Sequence, residues 1–214
     1  MNNTCSSPCG ICDEVNGVSF IDGYDKIVDD KKNIIAETND FLVVPSVGPL
    51  NNSHVMLIPK LHVNSFAALD TGVRQEAMAI LRKLNEFMIN KTSRSLIYFE
   101  SGAGENIDHS GSCIYHAHIH CVYYKRKFEI ALNKEINFKI INNQDLNFDT
   151  RNGYVWYMND NYDEFICNNP LLPSQFLRYL YSNSNSIYGS WNWRRDNNIN
   201  GVIKVIDNYG DFTL

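Results

Sequence analysis

The sequence predicts an α+β fold. Three observations carry that prediction: short runs rich in β-branched, aromatic and aliphatic residues, one long stretch with apolar residues at helical spacing, and Gly, Pro and Asn signals at the junctions. The 214 residues are enough for one large domain, or one domain with a sizeable extension, and for a real core.

Residues 1–32 are polar and turn-rich, with SSPCG, VNG and IDG signals and the charged patch Asp29-Asp-Lys-Lys32. Asn33–Thr38, Phe41–Pro45 and His54–Lys60 then read as three short β-rich segments. Asp70 is a candidate N-cap. Val73, Ala77, Ile80, Leu81, Leu84, Phe87 and Met88 follow at helical spacing, so a helix is predicted over 70–91. Leu96–Glu100 reads as a strand, and Ser101–Ser112, with Gly102, Gly104 and Gly111, as a loop.

Cys113–Tyr124, "CIYHAHIHCVYY", is a strand by composition, uninterrupted by Gly or Pro. Beyond it come the FEIAL and NFKII segments, an Asn-rich stretch, and the apolar runs YVWYM and FICNN. A second helix is predicted near 174–183, with Phe176, Leu177 and Leu180 on its apolar side, and GVIKVI near the end reads as a β-like tail. No internal repeat is present.

Composition narrows the function. The net charge of −5 argues against a large basic surface for duplex nucleic acid, though it allows a local cationic pocket for one phosphate. No apolar run approaches the roughly 20 residues needed to span a bilayer. The N-terminus lacks an apolar signal segment, and six cysteines at irregular spacing suit reduced thiols better than a disulfide scaffold. A cytoplasmic protein without membrane attachment is the expectation.

Half of the six histidines, His116, His118 and His120, alternate in one short segment. In a strand they share a face, roughly 6.5–7 Å apart at the backbone, while Ala117, Ile119 and Cys121 face the other way. That row favours three rings doing different work. Convergence of all three on one catalytic metal is the rival, and it leaves Cys9, Cys12 and His62 unused. Cys9-Gly-Ile-Cys12 by itself leaves zinc, redox chemistry and chance open.

His116-Ala-His-Ile-His-Cys-Val122 resembles the His-φ-His-φ-His-φ-φ pattern (φ apolar) of the histidine-triad superfamily of nucleotide hydrolases and nucleotidyltransferases. Ser53–His62 is similar to the family's earlier strand, an apolar run closed by Pro-Lys-x-His. The resemblance covers about residues 5–124. It implies an antiparallel sheet with a packed helix, a catalytic core with an N-terminal zinc-binding segment over 1–124, and a C-terminal extension over 125–214 packed on the same domain.

The resemblance further implies that His118 attacks the α-phosphorus of a nucleotide to form a nucleotidyl-imidazole, and that His120 donates hydrogen bonds to phosphate oxygens. It places His54, Ser112 and Asn106 at the substrate, Ser112 standing where the family usually has glutamine. It gives Cys9, Cys12, His62 and His116 as ligands of a structural zinc ion, in which four protein ligands leave no open position. The implied reaction is hydrolysis at the α-phosphate of a dinucleoside polyphosphate, nucleoside phosphoramidate or similar compound. Alternatives are nucleotidyl transfer to an acceptor other than water, or a zinc-stabilised nucleotide-binding module with little turnover. Relatives are often dimers, so a homodimer is the assembly to test for.

The family's ribose-binding acid after the first apolar strand has no counterpart in Phe41–Ser46. His109 reads as a solvated loop histidine, and Trp191-Asn-Trp-Arg-Arg195 more as core cover and surface charge than as substrate contact.

Overall fold

In a computed structural model, which describes residues 9–105, 114–141, 148–186 and 191–214, the apolar runs form the middle of one antiparallel sheet. The elements are α1 (Gly10–Val15), α2 (Asp25–Asp29), β1 (Ala36–Glu37), β2 (Phe41–Pro45), β3 (Val55–Pro59), α3 (Thr71–Thr92), β4 (Leu96–Gly102), β5 (Ile119–Tyr123), α4 (Arg126–Glu135), β6 (Lys139–Ile140), β7 (Tyr154–Met158), β8 (Glu164–Asn168), α5 (Phe176–Ser184) and α6 (Ile199–Asn208). The strand order is β1-β2-β3-β5-β4-β7-β8-β6.

The central strands read as continuous apolar runs because both faces of the sheet are covered. Every residue of β2, β3, β5 and β7 is buried. On one face Val43, Leu57, Tyr98 and Cys121 pack against Ala77, Ile80, Leu84 and Met88 of α3, joined by Val205 of α6, Tyr209 and Phe212. On the other, Ile97, Phe99 and Val122 meet Phe128 and Leu132 of α4 and Leu177 and Tyr181 of α5. Farther along that second face, Ile11 of α1 covers Leu42, Val44, Met56 and Ile58. Strand β7, from the C-terminal ninety residues, pairs directly with β4.

Several sequence expectations need correction. The GVIKVI tail is helical, within α6: Val202 and Val205 fall three apart and are fully buried, and the Asn198 side chain caps the helix by accepting from the Gly201 N–H. That amphipathic burial overrides the β-branched composition. Asp70 does occupy the N-cap position of α3, but its side chain makes no capping bond. The turn-rich N-terminus contains two short helices, and FEIAL lies inside α4. The triad segment enters the ladder only at Ile119; before it, the Ala117 N–H bonds to Val63 O, outside the sheet.

Glu100 of β4 ties the sheet to the segment that leads into α3. It is 2% exposed and accepts from the Phe66 N–H (2.9 Å) and the Tyr154 hydroxyl (2.5 Å). Burial raises its pKa from 4.5 to about 7, against the opposing pull of those two bonds. The folded protein therefore holds on Glu100 a proton that the unfolded chain has released between these pH values, and the contribution of this group to stability falls as pH rises through that window. The loss is about 3 kcal/mol by pH 8. Urea unfolding at pH 5 and pH 8 tests this: the stability of wild type relative to Glu100→Gln should fall by about 2–3 kcal/mol between the two. The buried neutral histidines gain stability equally in both proteins and cancel in the difference.

Candidate functional site

The candidate histidines stand on the sheet face opposite α3. His120 pairs across the ladder with Met56 of β3 on one side and Phe99 of β4 on the other, and so shares their face. His118 and His120 line a cavity of about 350 Å³, within the size range of small-molecule sites. Their ring centroids lie 4.9 Å apart, close to edge-on.

Backbone groups set the tautomer of each ring. The Leu50 N–H can only donate, so His54 Nδ1 accepts its bond at 2.9 Å. His54 then carries its proton on Nε2 and donates it to His120 Nδ1, also at 2.9 Å. His120 is left with its proton on Nε2. His118 runs the opposite way: its Nδ1 lies 2.8 Å from His116 O, which can only accept, so Nδ1–H donates and Nε2 keeps the lone pair. Burial lowers the pKa of His54, His118 and His120, with the Arg178 charge contributing in each case, so the rings are neutral.

His54 was expected at the substrate. It is fully buried and both its nitrogens are engaged, so it stands behind His120 as a positioning residue. Ser112, Asn106, His109 and Cys113 lie outside the described residues.

The row of three histidines does not act as one cage. His116 turns to the N-terminal cysteines, which α1 places one turn apart, the Asp13 N–H bonding Cys9 O. Cys12 Sγ lies 3.1 Å from His62 Nδ1 and 3.4 Å from His116 Nδ1, and Cys9 Sγ 3.7 Å from His116 Nδ1. The four ligand atoms all fall within 4.8 Å of one another. A tetrahedral thiolate–imidazole cage has sulfur–nitrogen edges of about 3.5 Å, so the spacing fits a metal ion. His116 Nε2 donates to Pro59 O at 2.7 Å, which leaves Nδ1 for the ion, and burial carries its pKa down to about 4.

The C-terminal residues contribute more than the sequence suggested. Arg178 of α5 is 3% exposed and lines the cavity. It donates through Nε to Trp191 O (2.8 Å), through Nη1 to Ser46 Oγ (2.9 Å) and through Nη2 to Gly48 O (2.5 Å). Trp193 and Arg194 also line the cavity. Gly48 has φ +64°, and a Cβ there would meet Trp193 and the Asp196 carbonyl at 3.0–3.2 Å, so the loop before β3 accepts only glycine without adjustment. Arg178 was detectable: it is a charge three residues before Tyr181, on the flank of the apolar side of a helix otherwise read as Phe176, Leu177 and Leu180.

Fold and site together define a histidine-triad protein, with the first histidine of the row assigned to a cysteine–histidine cluster. The sequence model of the family described as "Protein similar to CwfJ C-terminal" matches residues 24–139, more than half the chain, and the chain belongs to that family. No curated protein matches it. Among solved structures, a hypothetical protein from Leishmania major is 19% identical, covering 56% of this chain and 76% of its own, with a TM-score of 0.44. A HIT family member from Bacillus subtilis is 16% identical, with coverages of 56% and 76% and a TM-score of 0.44. A Zn-bound histidine triad family protein from Mycobacterium smegmatis is 17% identical, with coverages of 55% and 76% and a TM-score of 0.41. Among the described residues no helix is long and apolar enough to cross a membrane.

Purified without chelator, the protein should carry close to one equivalent of metal. Cys12→Ser should lower that content and the unfolding temperature together, by elemental analysis and thermal melts. Full metal content in the variant would exclude Cys12 as a ligand.

Proposed function

We propose that the protein hydrolyses a nucleotide at its α-phosphate through a covalent intermediate on His118. The observation that carries this reading is the Nδ1–H bond of His118 to His116 O, which leaves a neutral Nε2 lone pair in a cavity of nucleotide size. Nε2 attacks the α-phosphorus, a P–N bond forms, and the leaving group departs with the electron pair of the bond it shared with phosphorus. The ring becomes a cation whose Nδ1–H stays on His116 O. Water then adds its oxygen to phosphorus, the P–N pair returns to Nε2, and one proton passes to solvent.

His120 supports both steps. Its Nε2–H donates to a phosphate oxygen, where negative charge grows in the transition state. His54 contributes through His120 by fixing the nitrogen that carries the donor proton.

The two-thiolate, two-imidazole donor set suits zinc, held by Cys9, Cys12, His62 and His116. Four protein ligands would make that ion structural, joining α1 to the segment that carries His118. The protein's substrate partner is then a nucleotide, and no duplex nucleic acid is involved.

Intact-mass analysis after rapid quenching tests the intermediate. With dinucleoside polyphosphates and nucleoside phosphoramidates, wild type should show a nucleotidyl adduct and release nucleoside monophosphate. His118→Ala should fold, keep its metal and show neither; an adduct on that variant would place the nucleophile elsewhere. His54→Ala, which removes the donor to His120 Nδ1, should lower kcat by about 100-fold, the scale of a misplaced catalytic group, while the adduct still maps to His118.

A further inference from the structure

The reaction above leaves one buried carboxylate of the cavity unused. Glu14, at the C-terminal end of α1, is 7% exposed and lines the same cavity as His118 and His120. Its hydrogen bonding is one-sided. Oε1 accepts both the Tyr24 hydroxyl, in a short bond, and Asn33 Nδ2 at 3.0 Å. Oε2 makes no hydrogen bond among the described residues.

A carboxylate needed only to anchor Tyr24 and Asn33 would be replaceable by an amide, whose carbonyl oxygen accepts the same two bonds. Burial raises the pKa of this carboxyl against the pull of those two bonds, so a donor brought to Oε2 by a ligand would favour the carboxylate form. The wall around it is apolar and aromatic, including Ile11, Ile21, Val47, Phe20 and Trp193. A cavity with a mainly apolar and aromatic wall and one buried acceptor suits a planar heterocycle that carries a hydrogen-bond donor on its rim.

We propose that Glu14 Oε2 accepts a hydrogen bond from an exocyclic amino group of the substrate's nucleobase, so that the site selects amino-bearing bases over bases that lack the group. This rests on the nucleotide reading of the cavity and extends it to base choice. It also supplies a polar contact to the nucleoside from α1, outside the strand after which the histidine-triad pattern usually places its acid.

Calorimetric titration of the metal-loaded full chain with adenosine 5′-monophosphate and purine riboside 5′-monophosphate tests it, because the two differ only in the amino group. Wild type should bind the adenosine compound about tenfold more tightly, the scale of one satisfied buried hydrogen bond. Glu14→Gln keeps the carbonyl for Tyr24 and Asn33 and turns Oε2 into a donor, so it should melt near the wild type and lose the preference.

Equal binding of the two compounds by wild type overturns the proposal without any variant. So does a preference that survives in Glu14→Gln. A 2′-deoxyadenosine monophosphate arm separates base from ribose: a Glu14-dependent loss on removing the hydroxyl, with none on removing the amino group, reassigns the acceptor to ribose and overturns the base assignment. The adduct measurement on His118 is independent. Adduct formation without base discrimination sinks this proposal alone, whereas amino-dependent binding without adduct leaves it standing and removes the hydrolase.

Discussion

The site depends on the backbone groups that choose which nitrogen of each imidazole holds its proton. A neutral histidine is both donor and acceptor, and its two tautomers present opposite faces to a ligand. Here Leu50 N–H, His116 O and Pro59 O remove the choice for His54, His118 and His116, and His120 inherits its tautomer from His54. None of those backbone groups can reverse its role. The lone pair on His118 Nε2 and the proton on His120 Nε2 are consequences of chain geometry, and burial keeps the rings neutral so that the pattern persists.

That arrangement asks the rest of the fold to hold three pieces of backbone in register. The ladder of β3 with β5 supplies one constraint, aligning Met56 with His120. The loop before β3 supplies another, because Leu50 must point its N–H at His54. Arg178 braces this loop from α5 through Ser46 and Gly48, while Trp193 packs against Gly48. The guanidinium thereby reaches His120 by two routes: as a nearby charge, and through the chain Gly48, Leu50, His54. A chain of hydrogen bonds and backbone thus links a C-terminal residue to the histidine row, although 58 positions separate Arg178 from His120.

Much of this was legible in the sequence, for definable reasons. Phe41–Pro45, Leu96–Glu100 and the long helix α3 were readable because strands buried on both faces and a regularly amphipathic helix leave unambiguous patterns. The grouping of Cys9, Cys12, His62 and His116 came from the family likeness, and those atoms do meet. What stayed hidden lies in long-range pairing. Nothing local to His54 says that both its nitrogens are taken, since one partner is 66 positions away. Glu14 reads as an ordinary acid in a polar stretch until Tyr24 and Asn33 close over one of its oxygens. GVIKVI failed for another reason: its apolar residues fit either period, and only burial against the α3-side core decides between them.

The alternation of the histidines now has a physical cause. His116 performs two tasks with two different parts of itself: its ring joins Cys9, Cys12 and His62, and its carbonyl holds the Nδ1–H of the residue two positions on. A spacing of two lets a main-chain oxygen reach the imidazole of the next histidine. The further spacing of two to His120 sets that ring beside His118, on the same side, within 4.9 Å. The segment leaves regular strand pairing before Ile119 for the same reason. A fully paired strand would commit the backbone near His116 to a neighbouring strand, whereas here the Ala117 N–H bonds to Val63 and His116 O bonds to His118. The tautomer of His118 is set by the residue that also belongs to the cysteine–histidine cluster, so the position of that residue constrains both.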